Sequence, residues 1–192
     1  GKGGDVELLA SGSIEVAGLG ATGNQSSVTA STLGSGPGGS VTLRAPRIVV
    51  EDGGSVQTTA LQSFEVRDPE HPDQKIGRDG NALGGDITLV ASDEVIVRNG
   101  GLVDASSFVG DRNGEASGGD VVVVAGEAIR VEGEGSRIES RTGGVGTGGN
   151  VTLDAFGFVT GTFGFSFETK KVDVDVNGGG IDLDEATLSL IS

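Results

Sequence analysis

One short motif, GG-x-[V/I]-x-[L/V]-x-A, occurs five times in this chain of 192 residues and constrains its fold more than any other feature. The copies begin at Gly3, Gly38, Gly84, Gly118 and Gly148, so successive copies start 35, 46, 34 and 30 residues apart. A recurring unit of this length is typical of proteins in which one supersecondary unit stacks on the next. We therefore expect five structurally equivalent repeats.

Within each motif, apolar and polar residues alternate with the period of two that a half-buried β-strand requires. The second copy shows this as Val41, Leu43 and Ala45, separated by Thr42 and Arg44. The first strands are expected at 6–10, 41–45, 87–91, 121–125 and 151–155. A second apolar pair follows at 14–16, 48–50, 95–97 and 129–131, and a third short strand at 28–30, 56–58, 103–105 and 138–140.

Three strands per repeat, with the same residue type in each column, predict an all-β fold in which every strand stacks on its equivalent in the next repeat. The predicted architecture is a parallel β-helix, or β-solenoid, of about five three-stranded coils. An antiparallel sandwich or barrel is the alternative, since its short strands also recur about every 8–12 residues. The sandwich does not explain why Val, Leu and Ala keep their order in successive repeats.

Glycine makes up 37 of the 192 residues, against a usual level of about 7%. The glycines form pairs and clusters without a G-x-y period, which excludes collagen, and we expect them at turns. The residue after each pair is Asp5, Ser40, Asp86, Asp120 or Asn150. These side chains commonly accept hydrogen bonds from nearby backbone amides, so we expect a turn role for them.

Charge and composition exclude several functions. The formal net charge is −15 and the isoelectric point about 4.2, which argues against a nucleic-acid or anionic-lipid partner. No run of 18 apolar residues exists, so no membrane insertion is predicted. Tyr, Trp and Cys are absent and the single histidine, His71, stands alone between prolines. We predict no catalytic and no cofactor-binding residues.

Two regions depart from the repeat. Residues 1–155 form the predicted repeat domain, interrupted by an insertion loop at 63–83 that contains His71. Residues 156–192 form an irregular C-terminal strand region that includes five of the seven phenylalanines. This segment is expected either to cap the end of the stack or to serve as a docking surface.

Calcium is the one metal for which the sequence offers candidates, and they are weak. One acidic segment resembles the opening of an oxygen-ligand loop and another flanks a glycine-rich turn, whereas calcium takes about six to eight oxygens. Solvated acidic turns are the alternative interpretation. The candidates are Asp111, Asn113, Glu115, Asp182, Asp184 and Glu185.

The motif GG-x-V-T-L-x-A, followed by I-x-V-x-x-G-G-x-V-x-[A/T]-x-[S/T] and by the glycine-rich turns 34–39 and 143–149, resembles the repeats of filamentous-haemagglutinin-like proteins. The resemblance covers about residues 3–160 and is greatest to the glycine-rich repeats of cyanobacterial members. It implies a right-handed parallel β-helix, export by two-partner secretion, and an extracellular or cell-surface location. The chain begins inside a repeat, and we expect it to belong to a longer protein.

The predicted function is that of a non-enzymatic extracellular structural protein or adhesin. A rigid surface rod would bind cell-surface or extracellular ligands, carbohydrate among them, through many weak contacts. End-to-end self-association of such rods into a fibre remains open. The alternative is a β-helical polysaccharide lyase or hydrolase, which would need clustered carboxylates in a groove.

Overall fold

A computed structural model describes residues 2–18, 25–33, 36–62, 66–67, 75–76, 82–109, 115–143, 145–155 and 158–161. The chain divides into two units, Gly1–Thr162 and Phe163–Ser192, and every described residue lies in the first. The part of the chain that the structure describes holds no apolar helix of membrane-spanning length.

The described residues form β-strands, turns and extended segments and contain no helix. The strands are β1 (Val6–Leu9), β2 (Ser13–Ala17), β3 (Ser27–Thr29), β4 (Thr32–Leu33), β5 (Val41–Glu51), β6 (Ser55–Gln57), β7 (Ala60–Gln62), β8 (Val66–Arg67), β9 (Lys75–Ile76), β10 (Ala82–Leu83), β11 (Ile87–Arg98), β12 (Leu102–Asp104), β13 (Ser107–Val109), β14 (Ala116–Ser117), β15 (Val121–Ala125), β16 (Ala128–Glu132), β17 (Arg137–Glu139), β18 (Thr142–Gly143), β19 (Val151–Ala155) and β20 (Phe158–Gly161).

Strands at equivalent positions of successive repeats pair in parallel. The largest sheet has the order β1-β5-β11-β15-β19, with β2 on β5, β16 on β11 and β20 on β16. Two further sheets have the orders β17-β12-β6-β3 and β18-β13-β7-β4, and β10 pairs with β14. The parallel pairing between repeats that the sequence predicts is confirmed for these strands.

The register of this pairing follows the residue columns of the motif. Val6 pairs with Val41, Val41 with Ile87, Ile87 with Val121 and Val121 with Val151. The leucine column behaves in the same way, because Leu43 pairs with both Leu8 and Leu89. Since a slip of one residue would turn every apolar side chain outward, the apolar columns themselves fix this register.

The first and second predicted strands of the two central repeats merge into the long strands β5 and β11. The junction lies after Ala45 and Ala91, both buried, and the register shifts there because Pro46 alone faces the pair Ser92 and Asp93. An alanine at this junction places little side-chain volume beside the register shift.

The first, second and third strands share one apolar interior. In the third repeat Leu89, Val97 and Val103 come from these three strands, and each is fully buried at 0% exposure. Equivalent residues of the neighbouring repeats belong to the same cluster. The interior is therefore a continuous column of aliphatic side chains contributed by successive repeats.

A second and smaller apolar cluster lies beyond the third strand. It consists of Ala60, Ala82 and Ala116, with Val109 packed against them. The prediction of three strands per repeat does not include the two- and three-residue strands near this cluster. These strands form two sheets, one of β4, β7, β13 and β18 and one of β10 and β14. Such short segments, rich in Ser, Thr and Ala, carry too few residues to show a period of two.

Tight turns join the second strands to the third strands. Asp52 and Gly53 have φ angles of 52° and 80°, and Asn99 and Gly100 have 51° and 81°. Two positive φ angles in succession are typical of a type I′ turn, for which Asp-Gly and Asn-Gly are the favoured pairs. The predicted turns at Gly53 and Gly100 are therefore present.

The insertion and the C-terminal boundary differ in detail from expectation. Within the predicted loop 63–83, β8 and β9 form an antiparallel pair, and β10 already belongs to the repeat. Past residue 155, β20 continues the second-strand column by pairing with β16. His71 lies outside the described residues.

Candidate functional site

The predicted calcium residues are only partly covered by the structure. Glu115 is exposed and its backbone forms a parallel bridge with Val145. The described residues contain no group of three or more acidic or histidine side chains that could hold a metal ion. The other candidates, Asp111, Asn113, Asp182, Asp184 and Glu185, lie outside the described residues, and calcium binding stays a prediction.

The paired glycines of successive repeats are stacked closely on one another. A Cβ atom built on Gly85 would lie 1.9 Å from the carbonyl oxygen of Gly39, and one built on Gly119 would lie 2.1 Å from that of Gly85. The positive φ angles of described glycines occur elsewhere, at Gly18, Gly53, Gly100, Gly133, Gly135 and Gly146. The described motif pairs lie between strands without positive φ angles, and from Gly38 onward glycine is required there because neighbouring backbone or side-chain atoms lie too close for a Cβ atom.

In three of the five pairs, the backbone N–H of the second glycine, Gly39, Gly85 or Gly119, also joins its repeat to the end of the preceding third strand. The backbone N–H of Gly85 donates to the carbonyl oxygen of Thr58 at 3.2 Å, and that of Gly119 donates to Ala105 at 2.8 Å. The Thr58 hydroxyl donates in return to the carbonyl oxygen of Gly85. These bonds connect the beginning of one repeat to the third strand of the repeat before it.

Next to the glycines, the side chain at the variable Asp, Ser or Asn position joins three of the four pairs of neighbouring repeats by a hydrogen bond. The carboxylate of Asp86 accepts the backbone N–H of Asp120 at 2.9 Å, and the carboxylate of Asp120 accepts that of Asn150 at 2.8 Å. Asp5 accepts the N–H of Ser40 at 2.8 Å and its hydroxyl at 3.0 Å. The side chains do bind backbone amides, but in the following repeat and not in their own turn.

The same bonds affect the ionisation of Asp5. The backbone N–H of Ser40 holds the pKa of the Asp5 carboxyl below its ordinary value, with smaller contributions from the Ser40 hydroxyl and the nearby charge of Lys2. A hydrogen bond to the ionised form stabilises that form. Asp5 therefore remains a carboxylate at neutral pH and continues to accept its partner.

Ion pairs connect repeats on the outward side of the second strands. Glu94 accepts the Arg47 guanidinium at 2.7 Å and also pairs with Arg130, so that it bridges three repeats. Glu51 pairs with Arg98 in the adjacent strand, and this contact raises the pKa of Arg98. The hydrogen bond from Arg47 is the main cause that lowers the pKa of Glu94, and Arg130 adds to it.

Two apolar residues lie on the same outward side. Val49 and Ile96 alternate with the inward-facing side chains of β5 and β11, yet they are only 2% and 5% exposed. In β5 Val49 stands between Arg47 and Glu51, two members of the ion pairs. The aliphatic stems of arginine can cover apolar surface while the guanidinium stays in water.

We predict that Glu94→Gln lowers the free energy of unfolding by about 1 kcal/mol at pH 7, because it removes the charge shared by two partly exposed ion pairs. Since folding lowers the pKa of Glu94, its contribution is complete above the ordinary pKa of 4.5. The contribution is lost as the pH falls from there through the lowered pKa of the folded state.

Urea denaturation followed by circular dichroism, at a series of pH values from 7 to about 3, tests this prediction. The wild type and Glu94→Gln should converge at the acidic end. Glu15→Gln is the matched control, because Glu15 is exposed on an equivalent strand and makes no ion pair with a described residue. A constant difference across the series would mean that the ion pairs are not its source.

A buried carboxylate was not anticipated from the sequence. Asp104 is 6% exposed and accepts the backbone N–H of Ser106 at 3.0 Å together with the Ser106 hydroxyl. The Ser106 hydroxyl in turn accepts the backbone N–H of Arg141 at 2.9 Å. The Asp-x-Ser spacing, which is typical of local side-chain-to-backbone bonds, is the signal that could have identified it.

The polar contacts just described share one property: they fix one repeat to another or close a turn within a repeat. Their carboxylates are bound to amides, hydroxyls or guanidinium groups of the protein itself. Such an arrangement supports the stacking of repeats.

No protein-family model matches the chain, and no curated protein or solved structure is detectably similar to it.

Proposed function

We propose that the first unit is a right-handed parallel β-helix that serves as a non-enzymatic, rigid rod on the outside of a cell. The observation that carries the proposal is the in-register parallel pairing of equivalent columns through all five motif repeats. The shared aliphatic interior adds support, because each repeat buries its apolar side chains against its neighbours.

The handedness is supported by chain connectivity. Each first strand connects to the parallel first strand of the next repeat through intervening strands, and such crossovers are right-handed in about 98% of cases. The resemblance to filamentous-haemagglutinin-like repeats points to the same hand and remains part of this proposal.

A structural role is favoured over the lyase or hydrolase alternative by the use of the polar side chains. Both carboxylate oxygens of Glu94 pair with arginines, and the carboxylates of Asp86 and Asp120 accept hydrogen bonds from backbone amides of the following repeats. These groups hold repeats together, which is what a stiff rod needs. Repeated outer ladders would then present the same weak contacts many times to a surface or a carbohydrate layer, and repetition multiplies affinity.

We predict that inserting three further copies of residues 84–117 after Ser117 lengthens the protein along one axis only. Parallel strands are spaced by about 4.8 Å, so the maximum dimension should grow by about 14 Å at constant cross-sectional radius. Small-angle X-ray scattering measures both quantities on the same sample. A compact fold would instead swell in every direction, and that result would contradict the β-helix.

The non-enzymatic role is tested separately. Beads coated with the protein should be retained by cells or immobilised glycans, with retention that rises steeply with coating density because it depends on many contacts. Bovine serum albumin beads give the baseline. Release of new sugar ends from acidic polysaccharides incubated with the protein and calcium would favour the enzyme alternative.

A further inference from the structure

Two side-chain hydroxyls beside the smaller apolar cluster have no partner in the protein. The Oγ atom of Ser107 and the Oγ1 atom of Thr142 are buried, and neither forms a hydrogen bond with any described residue. Ser107 as a whole is 0% exposed. Folding deprives such a hydroxyl of the hydrogen bonds that solvent gives it in the unfolded chain, so native proteins rarely leave one unsatisfied.

The two hydroxyls belong to neighbouring members of one residue column. Ala60, Ser107 and Thr142 pair in parallel register on β7, β13 and β18. Residues in register on parallel strands point to the same face of the sheet. Ala60 of this column packs in the cluster with Ala82 and Ala116. Ser107 and Thr142 therefore face the space between their own sheet and the sheet of β10 and β14.

The side chains across this space are small. β10 and β14 contribute Ala82 and Ala116, and β13 lies against both strands. Gly146 stacks directly on Ala116, because a Cβ atom at Gly146 would collide with the Ala116 carbonyl oxygen. Alanine and glycine carry no polar side-chain atom, so this side of the space leaves room beside the hydroxyls but gives them no side-chain partner.

The spacing of the strands determines what can bridge the two hydroxyls. Neighbouring strands lie about 4.8 Å apart, whereas a hydrogen bond between two oxygens spans about 2.8 Å. Equivalent atoms of Ser107 and Thr142 are thus too far apart for a direct bond. One water molecule about 2.8 Å from each oxygen spans this gap with an angle of about 120° at the water, which suits its hydrogen-bond geometry.

We propose that an ordered water molecule binds in this space and bridges the Oγ atom of Ser107 to the Oγ1 atom of Thr142. A hydroxyl donates one hydrogen bond and also accepts, so the bridge satisfies both groups. Buried waters typically make about two to four hydrogen bonds to groups that are otherwise unsatisfied. This internal water site joins the third repeat to the fourth and is independent of the function proposed above.

Water fits this site better than a metal ion does. Calcium takes about six to eight oxygen ligands, and the described part of the chain contains no group of acidic or histidine side chains that could hold a metal. Two neutral hydroxyls do not offset the cost of burying a charge. A neutral molecule that both donates and accepts hydrogen bonds meets the requirement.

The bridge adds a contact between strands that have few backbone hydrogen bonds. β13 has three residues and β18 has two. A water molecule bonded to both strands would fix one repeat to the next, as the carboxylate of Asp86 does through the backbone N–H of Asp120.

Single and double substitutions test the bridge through the folding equilibrium. Ser107→Ala and Thr142→Val each remove one end of it, and each should lower the ratio of folded to unfolded protein about tenfold, equivalent to about 1.4 kcal/mol. The double variant should lose no more than either single variant. The first substitution already releases the water, and the second removes the hydroxyl left without a partner. Urea denaturation of the full chain, followed by circular dichroism, measures all three variants.

Ser55→Ala is the matched control. The Oγ atom of Ser55 is also buried without a described partner, and Ser55 is 0% exposed. Its neighbour in the following repeat is Leu102, which has no hydroxyl, and Ser55 and Ser107 lie in different sheets. The effects of Ser55→Ala and Ser107→Ala should therefore add when the two are combined.

A crystal structure at a resolution that shows ordered water gives a direct readout. We expect electron density within hydrogen-bonding distance of both oxygens in the wild type, and none there in the double variant. A wild-type map without that density would overturn the bridge. Additive losses from Ser107→Ala and Thr142→Val would mean that each hydroxyl bonds separately to the protein, and unchanged or increased stability would mean that the space is dry. Either result would equally overturn it, while the scattering of the repeat insertion decides the β-helical rod independently.

Discussion

Gly85→Ala is expected to destabilise the protein by about 3 kcal/mol, the upper range for overpacking in a closely packed structure. The new Cβ atom would lie 1.9 Å from the carbonyl oxygen of Gly39 and 2.7 Å from its carbonyl carbon. Both are backbone atoms, so no side-chain rotation can relieve the contact. The repeat must move, and the bond from the Gly85 N–H to Thr58 at 3.2 Å moves with it.

Gly4→Ala provides the control for this prediction, because its Cβ atom enters open space at the equivalent position of the first repeat. Replacing glycine by alanine without strain is neutral or stabilises by about 0.4–1 kcal/mol through the unfolded state. Urea denaturation followed by far-ultraviolet circular dichroism, at a low protein concentration, compares the two variants. Equal effects of Gly85→Ala and Gly4→Ala would show that contact between stacked glycines does not explain the motif.

The strand register could be predicted from the sequence because it depends on local alternation repeated along the chain. Val41, Leu43 and Ala45 have counterparts of the same type in the next repeat, and the structure pairs them as the columns require. The longer spacing before Ile87 did not obscure this, since the extra residues lie between β7 and β10 and not within the paired strands β5 and β11.

The role of the paired glycines could not be predicted in the same way. A glycine at a turn and a glycine under a neighbouring carbonyl look alike in a single sequence, and the atom that excludes a side chain at Gly85 belongs to Gly39, 46 residues earlier. The partners of Asp86 and Glu94 are also far along the chain, since Asp120 lies 34 residues after Asp86 and Arg47 lies 47 residues before Glu94. Contacts of this kind follow from the stacking and not from local pattern.

The calcium candidates show that a metal site cannot be predicted from the spacing of acidic residues alone. Acidic residues near glycines are common in a chain with 28 Asp and Glu, and calcium binding requires that about six oxygens converge on one point. Sequence spacing within a loop carries no information about that convergence. For Asp86 and Asp120, the geometry instead assigns the carboxylates to backbone amides.

Leu89→Ala is expected to cost about 2–5 kcal/mol, the usual range for a buried leucine truncated to alanine. Leu89 is fully buried and lies between Leu43 and Val123 in the interior column. The cavity would therefore weaken the contacts with both neighbouring repeats, and stability in stacked repeats comes mainly from such contacts.

Leu8→Ala makes the same chemical change in the same column, but Leu8 is 39% exposed and pairs with a leucine on one side only. Its cost, measured by the same denaturation experiment, should be less than about half that of Leu89→Ala. Equal costs would contradict the prediction, because they would mean that burial between two neighbouring repeats does not determine the loss of stability.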